Sequence, residues 1–227
     1  MKIHALVEGP SERAFLEPWA RRLLRTHEVV VYPHQGKGTL PADLARTPDR
    51  VNRALLHQLP AKLRAFSESL DPETERVLVL VDADDDSCED LNREITRAAR
   101  ELAPRLTVLV RIAIEETEAF YLGDLRALGL VFPDADLELA RAYEPDSVCG
   151  TWEYFGRVVH DGGGNKVSWA GAMGPRLTIV AAHSRSPSFR ALCRGLRTLV
   201  SATPAPRRRR RYVHVARKRL DRSRRRS

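Results

Sequence analysis

Apolar positions in the first half of the chain fall into short continuous runs separated by longer stretches of helical spacing. The run Ile3–Val7 stops at Glu8, Gly9, Pro10 and Ser11, the form of a strand that closes in a tight turn. Ser11 is a suitable N-cap for a helix carrying Ala14, Phe15, Trp19, Leu23 and Leu24 on one face, with Pro18 a point of kinking. Val29–Tyr32 reads as a second strand and the glycine-flanked HQGKGTL at His34–Leu40 as a loop. Val51–Phe66 has helical spacing with a break expected near Pro60. Val77–Val81 (VLVLV) is apolar at every position, as in a parallel strand covered on both faces, and it opens onto Asp82, Ala83, Asp84, Asp85 and Asp86. A helix starting near Cys88 and amphipathic over Leu91–Leu102 is stopped by Pro104, and Thr107–Ile114 forms a further strand.

Strand and helix therefore alternate, which predicts an α/β fold: a Rossmannoid parallel sheet flanked by helices. Beyond Glu115 the pattern turns mainly helical. It is helical through Leu128, then irregular, with a loop at His160–Lys166 and helical stretches near Arg176–Ala182 and Ser188–Leu199. The expected organisation is a core over residues 1–130, a helical extension over 131–203 packed on it, and an Arg-rich tail over 204–227.

Charge sharpens that division. The 227 residues carry a net +8, but residues 204–227 hold twelve Lys or Arg against Asp221, a net +11, which leaves about −3 for residues 1–203. So basic a segment is expected to be disordered, and Arg207, Arg208, Arg209, Arg210 and Arg211 are candidates for contact with nucleic-acid phosphates; a solvated extension without a dedicated role is the alternative. Cys88, Cys149 and Cys193 are odd in number and unpaired in spacing, so neither a disulfide framework nor a thiolate zinc site is indicated. No run approaches the roughly 18 apolar residues of a membrane span, and IHALV is too short for a signal peptide, so a cytoplasmic protein is expected.

In parallel sheets, ligands bind beyond the carboxyl ends of the strands, where Glu8 and Asp82 fall. Ionised carboxylates crowded there repel one another unless a cation offsets them, and Mg²⁺ takes oxygen ligands of this kind. Asp82 and Asp84, two apart, can face one ion, with Glu8 arriving from another strand. The competing reading is an acidic loop that caps the following helix. Glu115, Glu116 and Glu118 follow another strand and offer ligands for a second ion, or simply a solvated helix start. Lys37 and Lys166 sit in Gly-rich loops and are candidate cations for transition-state charge, or exposed loop residues; His160 beside Asp161 is a candidate base. No Walker motif, GxGxxG or Ser-His-Asp arrangement is present, so ATP hydrolysis by this chain is not expected.

VEGPSE at Val7–Glu12 followed by VLVLVDADDD resembles the two signatures of the Toprim domain of topoisomerases, primases and nucleases of the overcoming-lysogenization-defect type. A nearer resemblance, over most of residues 1–200, is to a bacterial Toprim-like family of unknown function numbered 4276, carried also by HQGKGTL, IAIEETEAFYLGD at Ile112–Asp124 and SRSPSF at Ser184–Phe189. The resemblance implies Glu8 as metal ligand or general acid/base, and Asp82 and Asp84 as ligands for Mg²⁺ or Mn²⁺. Glu12 matches a second glutamate of the nuclease pattern, and also a helix-start position where a carboxylate suits the dipole. It implies a nuclease acting on DNA ahead of RNA, in a bacterial defence or repair module beside a separate ABC- or AAA-type ATPase. A catalytically silent Toprim-like subunit that binds such a partner or nucleic acid is the alternative. A DxD after a strand also occurs in haloacid-dehalogenase-type phosphatases, but those leave VEG unexplained.

Overall fold

A computed structural model describes residues 1–49, 51–147, 150–162 and 164–201. The Arg207–Arg211 run and Cys149 lie outside the described residues; Cys88 and Cys193 are free thiols.

Four parallel strands, β1 (Lys2–Val7), β2 (Glu28–Pro33), β3 (Glu75–Asp82) and β4 (Val108–Ala113), form one sheet in the order β2-β1-β3-β4. Val7 pairs with Pro33 on one side and Leu80 on the other, and Asp82 pairs with Ala113, so the strand ends stay nearly level. The connecting helices are α1 (Pro10–Leu23), α2 (Leu55–Ser69) and α3 (Cys88–Leu102). Alternation along the strands divides the core. Ile3, Ala5, Val7, Leu78 and Leu80 pack with α1 and the C-terminal helices, while Leu6, Val77, Val79, Val81, Val110 and Ile112 pack with α2 and α3. Covered on both faces, β3 needs an apolar residue at every position, which is why VLVLV has no polar alternation.

After β4 the chain forms α4 (Glu118–Leu122), α5 (Leu125–Val131), α6 (Leu137–Ala142), α7 (Thr151–Val158), α8 (Lys166–Met173), a 3-10 turn at Ala181–His183 and α9 (Pro187–Ser201). Phe120, Tyr121, Phe155, Trp169 and Phe189 from this part share one apolar cluster with Phe15 and Trp19 of α1. The architecture is α/β and Rossmann-like with a helical C-terminal part, as its pattern predicted. Among the described residues no helix is long and apolar enough to cross a membrane.

Several local expectations are corrected. α1 starts at Pro10 with Gly9 as its cap, because Pro at the first position is preset for the helix, so Ser11 lies inside the first turn. Pro60 does not break α2, whose buried Leu55, Leu56, Leu59 and Leu63 hold it continuous; Val51 to Ala54 precede it as loop. The helix expected through Leu128 is interrupted at Gly123, and Asp124 caps α5 by accepting from the Ala127 N–H at 3.0 Å. Lys166 belongs to α8, whose cap is Asn165. The helix expected over Arg176–Ala182 is mostly absent because its backbone is spent on tertiary bonds. The Trp19 indole donates to Thr178 O (2.9 Å), Arg22 donates to Leu177 O (2.8 Å), and Thr178 N–H donates to Asp124 (2.7 Å).

Candidate active site

The chain leaves β1 toward β2 on one side and reaches β3 and β4 on the other, so strand order reverses between β1 and β3. Such a reversal opens a crevice at the carboxyl ends of the two strands. Glu8 and Asp82 stand at its two lips: Glu8 follows β1 and its Oε1 accepts from the Asp82 N–H at 2.7 Å, while Asp82 is the last residue of β3.

Around this pair the other elements deliver more acid. Glu12, in the first turn of α1, is 6% exposed and accepts from the Ser11 hydroxyl at 2.8 Å. Glu118, the first residue of α4, is 1% exposed. Asp82 Oδ1 and Glu118 Oε1 are buried without a hydrogen-bond partner among the described residues. Burial of an unpaired carboxylate oxygen is costly, so each protonates more readily than in water.

The titration of the cluster follows. Burial pushes Glu8 up from 4.5 to about 8; the Asp82 N–H opposes this, Glu12 and Asp84 add to it, and Lys37 opposes it. Asp82 is held well above the usual range by burial and then by Glu8, Glu12, Glu118 and Asp84. Glu118 rises from 4.5 to about 7, again through burial, against the pull of Lys166. The buried Tyr121 hydroxyl is raised by burial and then by Glu118, Glu12 and Asp82. Sequence reasoning missed Tyr121, which reads as one more apolar-face aromatic.

The acids after Asp82 behave differently. Asp84 adopts a left-handed backbone (φ 48°), a region that Asp enters more readily than most side chains. Lys37 holds it: its Nζ lies 2.7 Å from Asp84 Oδ2, 2.8 Å from Asp86 Oδ2 and 2.8 Å from Ala83 O. All three ammonium protons are thereby used. Lys37, a candidate for phosphate contact or an exposed loop residue, ties the HQGKGTL loop to the acidic loop. The cap of α3 is Ser87, which accepts from the Asp90 N–H at 3.3 Å, so capping does not account for Asp82 or Asp84.

Beside Asp84 lies a cleft of 210 Å³ lined by Asp85, Glu115, Glu116, Trp152 and Glu153. Lys166 reaches it, with Nζ 2.7 Å from Glu116 Oε1 and 5.2 Å from the centre of the Trp152 ring. Glu116 Oε2 also accepts from the Trp152 N–H at 2.9 Å, and Glu115 accepts from the Thr151 hydroxyl. Trp152 and Thr151 were not foreseen, because nothing in the residues 131–165 pattern tied them to the strand ends. His160 lines a separate hollow with Arg157 and Gly162, next to the cleft through Trp152 and Glu153.

The donor set is all oxygen, and its two orphaned atoms suit a hard dication. Among the described residues no three His, Cys, Asp or Glu side chains are already set around one point to hold a metal. Asp82, Glu118, Glu12 and Glu8 are the side chains that would hold it, by turning toward the ion.

Fold and site together define a Rossmann-like α/β protein with a buried carboxylate cluster at its topological switch point. The chain belongs to the family described as a domain of unknown function (DUF4276), whose model matches residues 7–197, from the residue before Glu8 to the last turns of α9. Among curated proteins and among solved structures nothing matches the chain.

Proposed function

We propose that the chain is a Mg²⁺- or Mn²⁺-dependent Toprim-type nuclease that hydrolyses phosphodiester bonds of nucleic acid, DNA ahead of RNA, in a bacterial defence or repair module with a separate ATPase. The observation that carries the reading is the crowding of Glu8, Glu12, Asp82 and Glu118 at the switch point, with two carboxylate oxygens buried and without a partner among the described residues. Structural acids in a stable fold are normally paired; unpaired ones mark sites where burial is spent on function.

A bound divalent ion would supply Lewis-acid activation of water and stabilisation of the leaving oxygen. Asp82, Glu118 and Glu12 are its ligands in this reading. Glu8 is a further ligand or the general acid/base in this reading; in the metal-free chain burial pushes its carboxyl up to about 8. Lys166, carried by α8 to the acidic cleft, offsets charge on the reacting phosphoryl group, while Glu116 positions it.

The test is nicking of supercoiled plasmid with Mn²⁺ by the wild type, Glu8→Gln and Asp82→Asn. Each substitution is expected to lower the rate by about 100-fold or more, a loss typical of removing a ligand or general base. Binding is read separately through tryptophan emission. Trp19 and Trp169 are buried and Trp152 is half-exposed at the cleft, so paramagnetic Mn²⁺ should quench Trp152. A wild type that neither nicks nor quenches overturns the proposal. One observation favours the silent-subunit alternative: Asp84, the second acid of DADDD, is already neutralised by Lys37. Quenching that persists with no nicking of DNA or RNA would select it.

A further inference from the structure

An arginine-lined concavity opens beside the α4–α5 junction. It is a cavity of 790 Å³ between the end of α1, the α4–α5 junction and the segment 175–185, and its lining includes Arg22, Arg126, Arg176 and Arg185. None of these four takes part in an ion pair among the described residues. The one acid in the lining, Asp124, is 5% exposed and spends both oxygens on the Ala127 and Thr178 N–H groups, so it is structural.

The arginines divide into two fixed and two free. Arg22 is anchored by its bond to Leu177 O (2.8 Å), and Arg185 by bonds to Ala140 O (3.1 Å), Arg141 O (3.1 Å) and Tyr143 O (2.6 Å). The exposed guanidinium groups of Arg126 and Arg176 have no hydrogen-bond partner among the described residues. Four like charges in one concavity repel one another, and residues 1–203 are net acidic, so this concentration of positive charge is not a general background. A ligand bearing several negative charges relieves it, and guanidinium forks match phosphate oxygens.

We propose that this cleft holds the phosphates of the nucleic-acid strand flanking the bond under attack. The assignment rests on the reading of nucleic acid as substrate. Glu12 and Arg22 lie ten residues apart on α1, about 15 Å along its axis. That spacing corresponds to about four base steps at 3.4 Å per phosphate. The buried acids then act on one phosphodiester while the arginines fix the strand a few nucleotides away, which also sets a minimum substrate length.

The test uses the full chain with Arg207–Arg211 replaced by Gln, so that the tail does not mask the cleft, and compares it with the same chain also carrying Arg126→Ala and Arg176→Ala. Both substituted positions are exposed, so folding should be unaffected. Fluorescence anisotropy with a labelled DNA of about 20 base pairs in EDTA, over a salt series, reads binding apart from cleavage. Affinity is expected to fall about 10-fold, and the slope of log K against log salt by about two, one for each lost phosphate contact. Hydrolysis of the small diester bis-p-nitrophenyl phosphate with Mn²⁺ should not change. Unchanged affinity and slope overturn the cleft whether or not the protein nicks DNA. So does tight binding of free pyrophosphate that displaces no DNA, which would assign the cleft to a small phosphorylated ligand. A fall in affinity and slope supports it even if nicking fails.

Discussion

Glu8 and Glu118 retain protons in the folded chain that the unfolded chain releases near pH 4.5, since burial and neighbouring acids raise them to about 8 and about 7. A raised carboxylate stabilises the fold fully below its unfolded value and loses that contribution as pH climbs through the folded value. Metal-free protein is therefore expected to lose stability between about pH 5 and pH 8 and then level off. The loss is on the order of a few kcal/mol, since each group changes stability by at most about 1.4 kcal/mol per pH unit over its interval, and it is read as a fall in Tm. Thermal melts in EDTA across that interval check it: Glu8→Gln should flatten the profile, and Mg²⁺ should raise Tm more at the alkaline end, where the ligands are ionised. A flat or rising metal-free profile would contradict the burial of these acids. At this scale Glu8 and Asp82 were legible because each directly follows or ends an apolar run. Tyr121 and Trp152 were not, because an aromatic residue on a helix carries no mark of whether it faces lipid-like core or a polar cleft.

Helices and strands up to β4 were legible because their signal is local: unbroken apolar runs for strands and long amphipathic faces for α1 and α3. The helices from α4 to α8 span only five to eight residues each, too short for stability on propensity alone, and exist because they pack on α1 and on each other. That dependence shows at the end of α8. Gly174 has an ordinary helical backbone (φ −51°), where Ala would normally stabilise by about 0.4–1 kcal/mol. A Cβ there would instead sit 2.6 Å from Phe15 O and 2.7 Å from Phe15 Cα, inside the backbone of α1. Gly174→Ala is expected to destabilise by about 2 kcal/mol or more by prying α8 from α1, and, since α8 begins with Lys166, to weaken the Lys166–Glu116 pair at the cleft. Urea denaturation decides the sign: a raised midpoint would mean that α8 and α1 are not in such close contact.

Over the whole molecule, charge and chemistry are set apart. The body through residue 203 carries about −3 and holds its carboxylates buried at the switch point, while residues 204–227 carry +11. If nucleic acid is the substrate, as proposed, an acidic body would repel it at long range, so the first encounter would fall to the tail and short-range fixing to the arginine-lined cleft. The two contributions separate experimentally when each set of arginines is substituted on its own. Replacing Arg207–Arg211 by Gln is expected to lower the salt slope of DNA binding by about four to five and the affinity at moderate salt by well over 10-fold. Mn²⁺-dependent hydrolysis of bis-p-nitrophenyl phosphate should be unaltered, because a substrate with a single charge gains little from steering. Anisotropy and a colorimetric rate on the same preparations check both halves. An equal fall in both would mean that the tail acts at the carboxylate cluster itself, and the separation of encounter from chemistry would have to be abandoned.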